Sequence, residues 1–154
     1  MPGVVPRRAS RTVEMPIFVR APPKTVFRAL TSPEILRHWF MDRATLEPRK
    51  GGRYAFEWTG GPTHTGTVLE FVRDRRITHG WQWPGQERLG TTRLRISVAP
   101  KAAGTVVTFA HSGFGTGGPW QGLYEGAIRG WTYFLMNLKS VVENGHDLRS
   151  PYDW

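Results

Sequence analysis

The chain has 154 residues, no cysteine and a formal net charge of +9. That length suits one domain with its own core, and the missing cysteines exclude disulfides, thiolate catalysis and Cys-based zinc sites. Seventeen of the 21 basic residues are arginine, scattered from Arg7 to Arg149 with no reading element or aromatic interleaving, so no specific nucleic-acid partner is expected.

In chain order, Met1 to Ser10 reads as a flexible tail without the apolar stretch of a secretory signal. No run approaches the roughly 18 apolar residues of a membrane span, and a cytoplasmic location is expected. Thr12–Val19 predicts a strand, which Pro16 confines to an edge or a bulge. Pro22-Pro23 opens a short helix through Leu30. Ser32-Pro33-Glu34 opens a second, carrying Ile35, Leu36, Trp39 and Phe40.

Alternation takes over after the turn at 48–52. Tyr54, Phe56 and Trp58 share one strand face; Leu69 and Phe71 share a face of the next, Thr65–Val72. Ile77, His79, Trp81 and Trp83 line a third strand. Thr92, Leu94, Ile96 and Val98 line a fourth, with Arg93 and Arg95 turned to water. A turn at 100–104 leads to a strand bearing Val107, Phe109 and His111.

The segment from Pro119 to Asn144 repeats large apolar residues at three- and four-residue spacing over about seven turns, and Asn144-Gly145 stops it. One-face alternation predicts an antiparallel sheet, and this helix has the apolar surface to cover it. The fold class is therefore α+β, with a domain over residues 11–146 between tails at 1–10 and 147–154.

Several motifs, each weak alone, occur here in one order: Ala21-Pro22-Pro23 through Ser32-Pro33-Glu34, Trp39-Phe40, Gly51-Gly52-Arg53-Tyr54, Gly66-Thr67-Val68, His111-Ser112-Gly113-Phe114, and Gly130-Trp131 through Leu138. Together they resemble the START-like (SRPBCC) superfamily, and within it the Hsp90-ATPase-activator homologue-like branch. The resemblance implies a helix-grip fold, a curved antiparallel sheet wrapped around a long C-terminal helix, and a cavity between the two. Its members include ligand carriers, cyclases and hydrolases. The arginine-lysine-asparagine-tryptophan motif and second domain of the eukaryotic co-chaperones have no counterpart here, which leaves a chaperone partner doubtful.

The expected function is binding of a hydrophobic, planar or aromatic small molecule, without a cofactor, between helix and sheet. Trp39, Phe56, Trp58, His79, Trp81, Trp83, Phe109, His111, Tyr124, Ile128 and Trp131 are the candidate ligand contacts. His79 and His111 are the acid/base candidates if the pocket is catalytic, as in a cyclase or hydrolase. An inward histidine among aromatics is, however, more often a hydrogen-bonded core residue than a catalyst or ligand. No metal is expected, because His38, His64, His79, His111 and His146 lack paired ligand spacing. The glycine-rich run at 113–118 precedes a helix but lacks the lysine and hydroxyl of a phosphate loop. Gly122, Gly126 and Gly130, four apart beside the aromatic face, imply close approach of the loop, a ligand or a second subunit, so a homodimer stays open.

Overall fold

A computed structural model describes residues 10–149. Seven antiparallel strands form one sheet in the order β1-β7-β6-β5-β4-β3-β2. The strands are β1 (Arg11–Val19), β2 (Arg43–Leu46), β3 (Arg53–Glu57), β4 (Thr63–Val72), β5 (Arg76–Trp81), β6 (Thr92–Lys101) and β7 (Gly104–Phe114). Helices α1 (Pro23–Thr31) and α2 (Pro33–Leu36) follow β1, and α3 (Trp120–Asn144) closes the fold. This is the α+β helix-grip arrangement expected from the residue pattern.

The chain's first and last strands are neighbours, with Pro16 opposite Thr108. Pro16 lacks a ladder donor, and β1 at the sheet edge tolerates that. On β6, Leu94, Ile96 and Val98 are buried while Arg93 and Arg95 stay exposed. Arg76 and Arg95 flank Glu70 there, with nitrogen–oxygen distances of 2.9 and 3.8 Å.

Four local expectations change. Strand β2 was not apparent, because four residues are too few to alternate. Helix α2 is one turn long, and Trp39 and Phe40 sit in the turn beyond it. Strand β5 ends at Trp81, leaving Trp83 in the following segment. Finally, β4 begins at Thr63, and its register slips between Val68 and Glu70. This bulge puts Val68 and Phe71 on the core side, whereas Leu69 lies beside outward-facing Gly80.

Gly66 has a specific task in β4. A Cβ there would sit 2.7 Å from the Gly80 carbonyl oxygen and 2.8 Å from the Tyr54 hydroxyl. The bare backbone lets the Tyr54 ring cross to β5 and donate its hydroxyl to Gly80 O at 2.5 Å. Burial pushes the Tyr54 pKa up, which keeps it a donor.

Helix α3 passes closest to β1 and ends at Gly145 in the left-handed conformation (φ 69°). Its C-terminal half is packed: Trp131, Phe134, Leu135 and Leu138 are buried with Trp39 and Phe40. Trp39 donates its indole N–H to Ala29 O (2.9 Å), and buried Asn137 donates to Trp39 O (2.8 Å). Asn137 also bonds Asp147 and the Leu148 amide, and Arg149 reaches the carbonyls of Met41 and Arg37. Residues 147–149, which the sequence reading puts in a tail, are thus tied to the domain; residues 1–9 and 150–154 of the two tails lie outside the described residues.

Candidate functional site

A cavity of about 410 Å3 opens where the N-terminal half of α3 stands away from strands β3 to β5. That is far more than the roughly 10–15 Å3 that admits a single water, so it is not a packing defect. Trp58, Trp81, Trp83 and His111 line it from the sheet strands and the segments that follow them, Trp131 and Phe134 from α3, and Phe40 from the turn after α2. The turn Thr59-Gly60-Gly61-Pro62, with Asp42, forms a rim, held where the Thr59 amide donates to Asp42 Oδ2 (2.7 Å). Gly122, Gly126 and Gly130, with Leu123 and Ala127, supply the helical wall. The close approach that their spacing implies is not found within the described residues: an added Cβ at any of the three glycines would meet nothing within 4 Å. The absence of side chains at these positions helps keep the cavity open.

Five of the eleven residues proposed from sequence come together here: Trp58, Trp81, Trp83, His111 and Trp131. The other six do not line the cavity. Trp39 is committed to the Ala29 carbonyl under α1. Phe56 and His79 pack with Tyr54 in the core, and Phe109 is buried against Trp131. Tyr124 packs on Phe114 with the Arg11 guanidinium over its ring, and Ile128 faces outward at 38% exposure. Strand parity reports which face a residue takes. It does not report how far the helix stands from that face.

The two acid/base candidates also differ in place. His79 is fully buried outside the cavity wall, and burial pushes its pKa down to about 4. His111 lines the cavity, but both its ring nitrogens are engaged. The Trp131 indole can only donate, so its 3.0 Å contact makes Nδ1 of His111 an acceptor. Thr92 donates its hydroxyl to Trp81 O (2.9 Å), so its 2.7 Å contact with Nε2 of His111 is one in which the imidazole donates. A chain of donors thus runs Trp131, His111, Thr92, Trp81 carbonyl. Burial, with a smaller contribution from nearby His64, pushes the His111 pKa down to about 3. This neutral, saturated imidazole holds the cavity floor together and has no free lone pair for proton abstraction.

His64 is the residue that sequence reasoning passed over. It is 7% exposed and stacks on Trp81 with ring centres 4.4 Å apart and planes at 23°. Its Nδ1 lies 2.8 Å from Gln82 O, and since a carbonyl only accepts, Nδ1 carries the proton. Burial lowers its pKa against the opposing effect of that hydrogen bond. The available signal was parity: extending the strand two residues ahead of Thr65 puts His64 on the same face as Gly66 and Val68.

Among the described residues, no group of three or more His, Asp or Glu side chains is placed to hold a metal ion, and no helix is long and apolar enough to cross a membrane.

The fold and cavity can be set beside known proteins. A protein from Mesorhizobium loti superposes with a TM-score of 0.78 at 24% identity, covering 90% of this chain and 100% of its own. An AHSA1-like protein from Rhizobium etli gives 0.74 at 28% identity, covering 95% and 90%. The Aha1 dimer from Colwellia psychrerythraea gives 0.77 at 20% identity, covering 88% and 98%. No curated protein matches the sequence significantly. Residues 20–143 match the family model for Activator of Hsp90 ATPase homolog 1-like protein. With that match spanning most of the chain, from the turn before α1 to the last turn of α3, the protein belongs to the Activator of Hsp90 ATPase homolog 1-like protein family.

Proposed function

We propose that this protein binds a planar, largely apolar small molecule in the cavity between α3 and strands β3 to β5, without transforming it. The observation that carries this reading is the contrast between the cavity walls. Rigid indole and imidazole rings of Trp58, His64, Trp81, Trp83 and His111 stand on the sheet side, and the first half of α3, without side chains at Gly122, Gly126 and Gly130, forms the helical wall. Large aromatic walls around about 410 Å3 suit stacking on a flat molecule, and displacing water from them favours binding. The indole N–H groups of Trp58 and Trp131 are already spent on Phe40 O and His111, so these two rings offer faces and edges rather than polar contacts. A noncatalytic role is supported by the commitment of both His111 nitrogens and by the position of His79 outside the wall.

The test is a titration with a panel of fused-ring aromatics, following intrinsic tryptophan fluorescence and melting temperature together. Binding quenches the emission of Trp58, Trp81, Trp83 and Trp131 and raises the melting temperature. A panel that does neither sinks this reading, and the aromatic wall is then an internal surface without a ligand.

A further inference from the structure

Every hydrogen-bonding nitrogen on the imidazoles of the cavity has a partner, except one. His111 gives one nitrogen to Trp131 and the other to Thr92. His64 gives Nδ1–H to Gln82 O, and no hydrogen bond to its Nε2 is formed among the described residues. The side chain is more than nine-tenths buried, its ring is fixed by a 4.4 Å stack on Trp81, and the residue lines the cavity. With the proton on Nδ1, Nε2 presents a lone pair. It is an acceptor, and Trp58 set edge-on at 5.7 Å helps to hold the ring's orientation. Unlike Nδ1 of buried His79, this unpaired Nε2 is not sealed inside packed protein, so with His64 on the cavity wall it is reached from the cavity.

Resting on the binding reading above, we propose that the ligand is an aromatic bearing a hydroxyl group, and that this hydroxyl donates to Nε2 of His64 while the ring lies against Trp81 and the glycine wall. Apolar walls alone discriminate weakly among flat molecules. A single fixed acceptor rejects an analogue whose donor is blocked, because Nε2 is then desolvated and unpaired. His64 is on this account a specificity-determining residue. Its imidazole stays neutral near pH 7, since burial lowers its pKa. The other carboxylate or imidazole groups on the wall are Asp42, at the rim and bonded to the Thr59 amide, and the saturated His111.

The test compares 2-naphthol with 2-methoxynaphthalene by calorimetric titration of the full chain; the ether keeps the ring and oxygen but removes the donor. Wild-type protein is expected to bind the naphthol about tenfold more tightly. His64→Phe keeps a ring for the Trp81 stack and is expected to bind both compounds at the affinity of the ether. Equal wild-type affinities overturn the proposal while leaving the binding reading intact; binding of neither compound overturns both. A preference that survives in His64→Phe assigns the acceptor role elsewhere and overturns the proposal too, with Asp42→Asn then identifying whether the rim carboxylate holds it. Should His64→Phe fail to fold, the wild-type protein decides alone. The 15N resonance of Nε2 moves upfield on adding 2-naphthol and stays put with the ether if the proposal holds, and an unmoved resonance overturns it.

Discussion

Helix α3 carries one apolar face along its length, but its two halves differ in what they touch. From Trp131 to Leu138 the inward side chains interlock with Trp39, Phe40 and Phe109, leaving Leu138 with no exposure at all. From Gly122 to Gly130 the neighbouring row carries no side chains, and the sheet rings across from it face open volume. Along the chain, one continuous helix therefore walls a cavity and then builds a core. On the inward side the difference is one of side-chain volume, which a hydrophobic pattern does not record.

The comparison breaks most visibly at Trp131, where the two halves meet. Its ring packs on Phe109 and Phe40, and its N–H is the donor that saturates His111. Trp131→Ala is expected to lower stability by about 3–5 kcal/mol in urea unfolding. Trp83, half-buried and stacked on His111 at the open end, is expected to lose less on truncation while losing ligand affinity. Similar stability losses at the two positions would show that the open half is packed as firmly as the closed half.

Acid tests the same division through the histidines. His79 and His111 are neutral in the fold, with pKa values pushed down from 6.5 to about 4 and about 3 by burial. Unfolding frees both to protonate, so below pH 6.5 the unfolded chain binds more protons and stability falls as pH falls. Each is expected to contribute a loss of about 2 kcal/mol between pH 7 and pH 5, at 1.4 kcal/mol per unit of pKa shift. Glu70, Glu143 and Asp147, whose pKa values are lowered, lose their contribution at still lower pH, so this window isolates the imidazoles. Urea midpoints for wild type and His79→Leu at both pH values measure the slope, which the variant flattens. An unchanged slope would mean that His79 gains no proton on unfolding.

Much of the fold was legible because alternation and helical spacing are local. Leu94, Ile96 and Val98 against Arg93 and Arg95 define one face of β6 without any knowledge of its neighbours. The missed features were those set by partners. The slip at Leu69 follows from pairing with β5, and β2 exists because Glu57 to Tyr54 offer it a ladder. The site was legible in half. Tryptophans with inward parity announced aromatic walls, but Phe56 and Trp81 have the same parity, and only the position of α3 makes one core and the other wall. His64 falls outside a strand that alternation starts at Thr65, because β4 begins two residues earlier at Thr63. The glycine stripe was visible as a pattern, while its meaning depended on what stood across from it.

That stripe offers the smallest and most diagnostic effect. Gly126 and Gly130 lie in the interior of α3, where glycine is less favourable than alanine by up to about 1 kcal/mol. A methyl at either position meets nothing within 4 Å, so no clash offsets the gain in helix propensity. Gly126→Ala and Gly130→Ala are each expected to raise stability by up to about 1 kcal/mol. Gly122 sits in the first turn of the helix, where propensity matters less, and should gain less. If the open volume serves a ligand, the same substitutions place methyl groups in it and weaken binding of a fused-ring aromatic, so stability and affinity move in opposite directions. Gly126→Leu, which fills more of the volume, deepens the loss of affinity. Alanine variants that gain stability and keep full affinity would separate the stripe from the binding wall. Variants that lose stability would mean that the row is closed by a contact the open cavity does not contain.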